Sequence, residues 1–447
     1  MLPRRDPARA GGGRSLTRIV SLDVGSSSVR AVAYGETGVA EPGDAHLAYN
    51  SVAADELVAA CRSVLAQVGE GDVLAVSCFW HSLVAVDGRD RPLTPVLTWR
   101  DVAGRPPPLD PVDYHHRTGC FLHPAFWPAK LTRLAAEGVD PARCLSFGDY
   151  LLLHLTGEVR TSVSTASGTG VYDPNRLDWD DETLAALGLD RDRLPPVSDE
   201  PVAGVWPALG DGACSNLGTG CVSPERAAVM IGTSAAVRVV RTERAIEPRP
   251  GLFLYRVDDE RFCEGGALSD GGNLHAWLVR TLADVDTLRL EDRPAAAHGV
   301  RFLPFLGGER SLGWDPRRRG AIEGLTFATT AADIAQAALE GVCYQLAGVL
   351  DAIGGVTSVV ATGGGLLANP GWLQVLADVL GRPVEVSGVA EGSARGAAVI
   401  ALERLGLPVP EAPIARVVEP RLDRYEIHLR VRQEEQQDTN AYVNSDV

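Results

Sequence analysis

The sequence predicts two α/β lobes that face each other across a cleft, and three observations lead there. The segment Leu22-Asp23-Val24-Gly25-Ser26-Ser27-Ser28-Val29-Arg30 recurs in weaker form as Met230-Ile231-Gly232-Thr233-Ser234-Ala235-Ala236-Val237-Arg238. After each copy, strand-like and helix-like stretches alternate, as in a layered α/β lobe. Between the halves, Pro195–Leu209 is rich in Pro, Val and Gly and reads as a crossing.

Each copy has an apolar run, a Gly, a cluster of small and hydroxyl residues, then alternating apolar residues. That is the signature of strand, tight turn, strand, with a tip that offers backbone N–H and hydroxyl donors to a phosphate. Two such tips face to face can hold one nucleotide's phosphates from both sides. Only the first copy carries an acid, Asp23, where the second has Met230. An Asp beside phosphates is a natural Mg²⁺ ligand through water.

The elements follow in order. Strands are expected at Arg18–Leu22 and Val29–Tyr34, a helix at Ala54–Val68 and a strand at Val73–Cys78. Arg100–Pro111 is a loop; a helix at Pro128–Ala136 and then the stretch Asp149–His154 continue the domain. The second half restarts with a hairpin at Ala227–Arg241. A long helix at Ala331–Gly354 has apolar positions recurring at three and four. A strand at Ser358–Ala361 runs into Gly363-Gly364-Gly365, with helices from Pro370 and at Gly392–Leu405 and a last strand near Tyr425–Leu429. The expected division is a disordered leader over 1–15, lobes at 16–208 and 209–430, and a polar, aperiodic tail over 431–447.

Composition narrows the function classes. A net charge of −16 disfavours nucleic acid or an anionic membrane as partner, since both call for a basic face. No apolar run approaches the ~20 residues of a membrane span. Eight cysteines without a C-x-x-C read as reduced thiols in a cytoplasmic protein. Lys130 is the only lysine and has no glycine-rich loop before it, which excludes a Walker A loop. Any nucleotide is therefore held by backbone dipoles and hydroxyls.

Four further segments carry chemistry. Gly363-Gly364-Gly365, followed by Asn369-Pro370, either lets backbone approach a phosphate or a planar group closely or forms a tight strand-to-helix turn. Gly210-Asp211-Gly212 puts a carboxylate at a crowded junction, either as a proton acceptor for an attacking hydroxyl or as the cap of the next helix. Trp80-His81 and Trp99-Arg100-Asp101 each follow a strand-like run. Together they suit a hydroxyl-rich small molecule, with aromatic faces for C–H groups and polar tips for hydroxyls.

These blocks, in this order from Arg18 to Tyr425, resemble the FGGY family of carbohydrate kinases in the actin-like ATPase superfamily. Phe305-Leu306-Gly307-Gly308-Glu309-Arg310-Ser311 and Glu391-Gly392-Ser393-Ala394-Arg395-Gly396-Ala397 add to the match. Trp80-His81, Trp99-Arg100-Asp101 and Thr118–Pro124 look most like gluconokinase-type members.

The resemblance implies two ribonuclease-H-like lobes with ATP between them and a sugar or sugar acid, gluconate among the candidates, deep in the first. It implies Asp211 as the base and Asp23 as the Mg²⁺ residue. Gly25, Ser26, Ser27 and Ser28, with Gly232, Thr233 and Ser234, would bind phosphates; Gly363, Gly364, Gly365 and Asn369 would hold adenosine. Trp80, His81, Trp99 and Asp101 would contact the acceptor, and Arg100, Arg117 and Lys130 are the cations open to an acid's carboxylate. The expected partners are ATP and the acceptor, with a homodimer as a further expectation. An ATP-driven conformational switch and a sugar-binding sensor of the same superfamily are the alternatives.

Overall fold

The computed structural model describes residues 17–285 and 288–445, with side chains as far as Glu434. The leader expected over 1–15 lies outside the described residues.

The first half opens with a hairpin of β1 (Ile19–Val24) and β2 (Ser28–Tyr34), in which Asp23 stands opposite Arg30 and Val24 opposite Val29. β3 (Ala45–Ala48), helix α1 (Ala54–Val68) and β4 (Val73–Cys78) follow. Helices α2 (Trp127–Ala136) and α3 (Phe147–Thr156), strand β5 (Leu209–Gly210) and helix α4 (Asp211–Gly218) complete it. The sheet order is β3-β2-β1-β4-β5, with β4 parallel to β1 and β5 parallel to β4. The lobe boundary expected at 208/209 therefore falls inside this sheet, because Leu209–Gly210 is its last strand.

The second half repeats the plan with the hairpin of β6 (Arg226–Ile231) and β7 (Ala235–Thr242). β8 (Phe253–Arg256), β9 (Arg261–Leu268), α5 (Gly272–Thr281) and α6 (Ala331–Ile353) come next. Then follow β10 (Ser358–Thr362), α7 (Pro370–Leu380), β11 (Val384–Ser387), α8 (Gly392–Arg404), β12 (Ile414–Val418) and α9 (Leu422–Ser445). The order β8-β9-β7-β6-β10-β11-β12 contains β9-β7-β6-β10-β11, the counterpart of the first sheet. As in the first lobe, the hairpin is antiparallel and the next two strands are parallel.

β1 reads IVSLDV and is wholly buried, because helices cover both of its faces. On one face α1 presents Leu57, Val58, Cys61 and Val64 at helical spacing. On the other lies α8, a helix from the second half of the chain, whose Ala394, Ala397, Ala398 and Ile400 share a core with Ile19, Val32 and Tyr34. α8 is buried nearly all round, because α4 packs on its opposite side. The two lobes are thus joined through α4 and α8.

The chain end departs from expectation. Where a strand near Tyr425–Leu429 and a structureless tail from 431 are expected, the backbone is helical from Leu422 to Ser445. The reason is tertiary. His428 is 1% exposed and its Nδ1 lies 2.8 Å from the Tyr344 hydroxyl, Val431 packs on the second core, and Arg432 pairs with Asp351 at 2.5 Å. That three-to-four spacing is a helical stripe facing α6, hidden in the sequence by polar neighbours.

Candidate active site

A cavity of about 600 Å³ lies between the lobes. Asp23 and Arg30 line it from the first hairpin, Asp211 and Gly212 from the start of α4, Gly232, Arg238, Gly363 and Gly364 from the second lobe, and Glu391 from the entry to α8. Asp23, Asp211, Gly232, Gly363 and Gly364, all singled out by sequence, therefore meet at one place.

Asp23 is 5% exposed; its Oδ1 accepts the Ser77 hydroxyl at 2.7 Å, and Arg30 approaches Oδ2 at 3.5 Å. Burial pushes its pKa up to about 6, and the neighbouring charges of Asp211 and Glu391 add to this against the Ser77 bond and Arg30. Mg²⁺ keeps most of its waters and takes one or two carboxylates beside phosphate oxygens. A buried carboxylate with a second acid nearby fits that pattern. Among the described residues no group of three or more His, Cys, Asp or Glu forms a metal cage.

Asp211 is the first residue of α4, so its carboxylate sits at the positive end of the helix. Oδ1 accepts the Gly212 N–H at 2.8 Å, and the Trp80 N–H adds a second bond. Burial nonetheless raises its pKa, against the Arg238 charge and these donors.

The hairpin tips are tightly closed. Gly25 N–H donates to the Ser28 carbonyl at 2.9 Å, and Gly232 N–H to the Ser234 carbonyl at 2.9 Å. Ser26 and Ser27 form the first turn, Ser28 is buried at the start of β2, and Thr233 accepts the Asn273 N–H at 3.0 Å through its carbonyl. The cavity wall is formed by Asp23, Arg30 and Gly232 rather than by these hydroxyl residues. Gly363 has φ +90°, and a Cβ there would lie 2.6 Å from the Ile231 carbonyl oxygen; Gly365 is nearly as close to the same strand end. Gly364 has open space over it. Asn369, expected at the adenosine, instead caps α7, accepting the Trp372 N–H at 3.0 Å. A residue just before a helix is placed to do this.

A second cavity, of about 430 Å³, is lined by Trp99, Arg100, His123, Asn273, Arg310 and Arg319 among others. Three arginines in its lining give it a cationic character. Two other cations weighed from the sequence are engaged elsewhere: Arg117 pairs with Asp180 and Glu182, and the buried Lys130 ammonium donates to the His81 carbonyl.

Of the four residues expected at the acceptor, Trp99 lines this cavity, and Trp80, His81 and Asp101 are not in its lining. His81 stands at φ 67°, a strained left-handed conformation for a residue other than glycine, and its Nδ1 lies 2.5 Å from the Gly168 carbonyl. A carbonyl only accepts, so Nδ1 holds the proton and Nε2 remains an acceptor. Burial lowers the His81 pKa to about 3, so the ring is neutral. Trp99 carries the Arg310 guanidinium 4.8 Å from its ring centroid. Trp80, by contrast, is buried beneath the Asp211 junction; a Cβ on Gly210 would lie 1.8 Å from its ring, and its indole N–H donates to the Ser164 carbonyl at 3.0 Å. Asp101 turns into its own loop, where Oδ2 accepts the Thr98 N–H at 2.6 Å.

Sequence reading passed over Arg30, Arg238, Glu391 and Arg310. The signal was present for two of them, since each hairpin motif carries an arginine in its second strand.

The comparisons with known proteins agree with this geometry. Residues 18–202 match the N-terminal domain of the FGGY family of carbohydrate kinases, and residues 227–403 its C-terminal domain. The gluconokinase of Bacillus subtilis (strain 168) is 29% identical over 381 residues, covering 74% of each chain. The xylulose kinase of Streptomyces rubiginosus is 31% identical over 396 residues, covering 81% of this chain and 79% of that protein. The crystal structure of gluconate kinase from Lactobacillus acidophilus superposes with a TM-score of 0.83 at 23% identity, over 96% of this chain and 98% of that one. The repeated sheet topology, the cleft acids and both domain matches lead to one conclusion: this chain belongs to the FGGY family of carbohydrate kinases, ATP-dependent phosphotransferases of the actin-like ATPase fold that use Mg²⁺.

Proposed function

We propose that the acceptor is a sugar acid of the gluconate type. The observation that carries this reading is the cationic lining of the second cavity, Arg100, Arg310 and Arg319, which suits a carboxylate better than a neutral sugar. The similarity to a gluconokinase supports it. Asp211 takes the proton of the attacking hydroxyl, His81 Nε2 accepts a hydrogen bond from another hydroxyl, and Trp99 covers the carbon chain. Trp80 and Asp101 act as positioning residues, the first under Asp211 and the second under Trp99. Asp23 would hold Mg²⁺, which would supply charge neutralisation at the phosphates. The transfer itself has a loose transition state, so orientation and charge stabilisation supply most of the rate.

The eight cysteines, all buried and free, suit a reducing cytoplasm, and among the described residues no helix is long and apolar enough to cross a membrane.

A coupled ADP-release screen of aldonates, ketoses and polyols tests the reading. Gluconate or a related aldonate should give the highest kcat/KM. A neutral ketose or polyol preferred by more than about tenfold, a 1.4 kcal/mol difference, would overturn it. ATP turnover that ignores every acceptor would favour a conformational switch.

A further inference from the structure

Arg238 is a charged side chain that the assignments above leave unused. It is 8% exposed, and its Nε and Nη1 have no hydrogen-bond partner among the described residues. The side chain leaves β7 opposite Gly265 and crosses Gly212, where a Cβ would lie 2.8 Å from Nε. The missing side chains at 212 and 265 make the room it occupies. It lines the cleft cavity together with Asp23 and Asp211. Its charge acts on Asp211, yet no ion pair joins the two among the described residues. Arg30, the other cation lining this cavity, pairs with Asp23 and Glu391, whereas Arg310 donates to the Leu268 carbonyl and, with its Nε also unpartnered, lines the second cavity instead. Buried donors without partners are rare and costly, and at a functional site they call for a ligand that supplies acceptors.

We propose that Arg238 is a further catalytic residue, donating from the second lobe to an equatorial oxygen of the phosphoryl group in transit. The inference rests on phosphoryl transfer at Asp211. In that step the acceptor oxygen forms a bond to the γ-phosphorus as its proton passes to Asp211. The bond from that phosphorus to the bridging oxygen breaks, and ADP leaves with the electron pair. Negative charge is spread over the equatorial oxygens, where a desolvated guanidinium is most effective. Asp211 and Arg238 lie on one cavity without neutralising each other, which leaves the reacting group between a base and a fixed positive charge.

The test uses the full chain with Arg238→Met and Arg238→Lys. Wild-type turnover with gluconate is measured first, so a failure of the acceptor assignment shows itself there. Binding of MgADP with and without aluminium fluoride then tests Arg238 without any acceptor turnover. Arg238→Met should lower kcat by about 10²–10³, the range for loss of one donor to transition-state charge, equally at all pH values. It should leave KM for gluconate and Kd for MgADP within about threefold, and remove the tightening that aluminium fluoride brings. Arg238→Lys should recover part of both losses. Weaker gluconate binding at unchanged kcat would overturn the proposal by putting Arg238 on the acceptor carboxylate. A kcat loss that vanishes at high pH would overturn it too, by reducing Arg238 to a group that tunes Asp211. Unchanged tightening by aluminium fluoride would be equally fatal.

Discussion

Gly396 on α8 and Cys214 on α4 meet backbone to backbone: a Cβ at 396 would lie 1.8 Å from the Cys214 carbonyl oxygen. Gly218 makes the reciprocal approach to the Gly392 carbonyl, also at 1.8 Å. Ser393 adds a hydrogen bond to the Asp211 carbonyl at 3.3 Å, and Arg395 one to the Gly218 carbonyl at 2.6 Å. This glycine crossing ties the helix that begins with Asp211 to the helix that supports the first sheet.

Gly396→Ala should therefore be disruptive despite alanine's better helix propensity. The propensity gain is about 1 kcal/mol, whereas overpacking typically costs 1–3 kcal/mol and here strikes backbone. Urea melts should show lower stability, and kcat should fall because α4 carries Asp211, the proposed base. Unchanged stability would mean the crossing opens at little cost.

Asp211→Asn should keep the fold and MgATP binding while lowering kcat by about 10²–10⁴, the usual size of a general-base contribution. Asparagine still accepts the Gly212 and Trp80 N–H groups through its side-chain oxygen, so local geometry is preserved. Steady-state kinetics beside calorimetry with MgATP check this, and retention of more than about a third of kcat would remove Asp211 as the base.

Asp23 gives a pH dependence of defined sign. Burial pushes its pKa up to about 6 in the folded chain, against 3.8 for a free carboxyl. Between those values the native chain holds a proton that the unfolded chain has released, so ligand-free stability falls as pH rises through the window. Asp23→Asn removes that loss. The variant should match wild type near pH 4 and exceed it at pH 7.5 by on the order of 2–3 kcal/mol. Adding MgATP should stabilise wild type more than the variant, since the metal favours the ionised carboxylate. Chemical melts at both pH values, with and without MgATP, are the measurement.

Asp101→Ala should free the Thr98–Arg100 turn, since its carboxylate accepts the Thr98 N–H. Loss of such a charged hydrogen bond costs roughly 1.5–3 kcal/mol. Trp99 then loses its fixed position, and KM for the acceptor should rise severalfold while KM for ATP holds. Asp101→Asn retains an acceptor oxygen for Thr98 and should recover most of the effect. Kinetics with both substrates varied would show whether the two KM values separate.

Much of the architecture is local and was legible in the chain. α1 at Ala54–Val68 and β4 at Val73–Cys78 have the bounds that periodicity suggests, because apolar spacing and flanking loop residues act over a few positions. The duplicated hairpin motif and the glycine-flanked Asp211 likewise identified the cleft, since glycine, hydroxyl and lone-acid patterns reflect backbone needs close in sequence.

What only the tertiary structure decided is which side chains are free to meet a ligand. Trp80 lies under Gly210 and Gly212, Asp101 bonds Thr98, Asn369 caps α7, and Lys130 is engaged with His81. Arg238, in an apolar strand, is left with unpartnered donors in the cavity that Asp211 also lines. The helical stripe of α9 becomes legible only against α6, some eighty residues earlier in the chain. A side chain's chemistry is set by the atoms within about 4 Å of it. In this fold many of those atoms come from segments tens to hundreds of residues away.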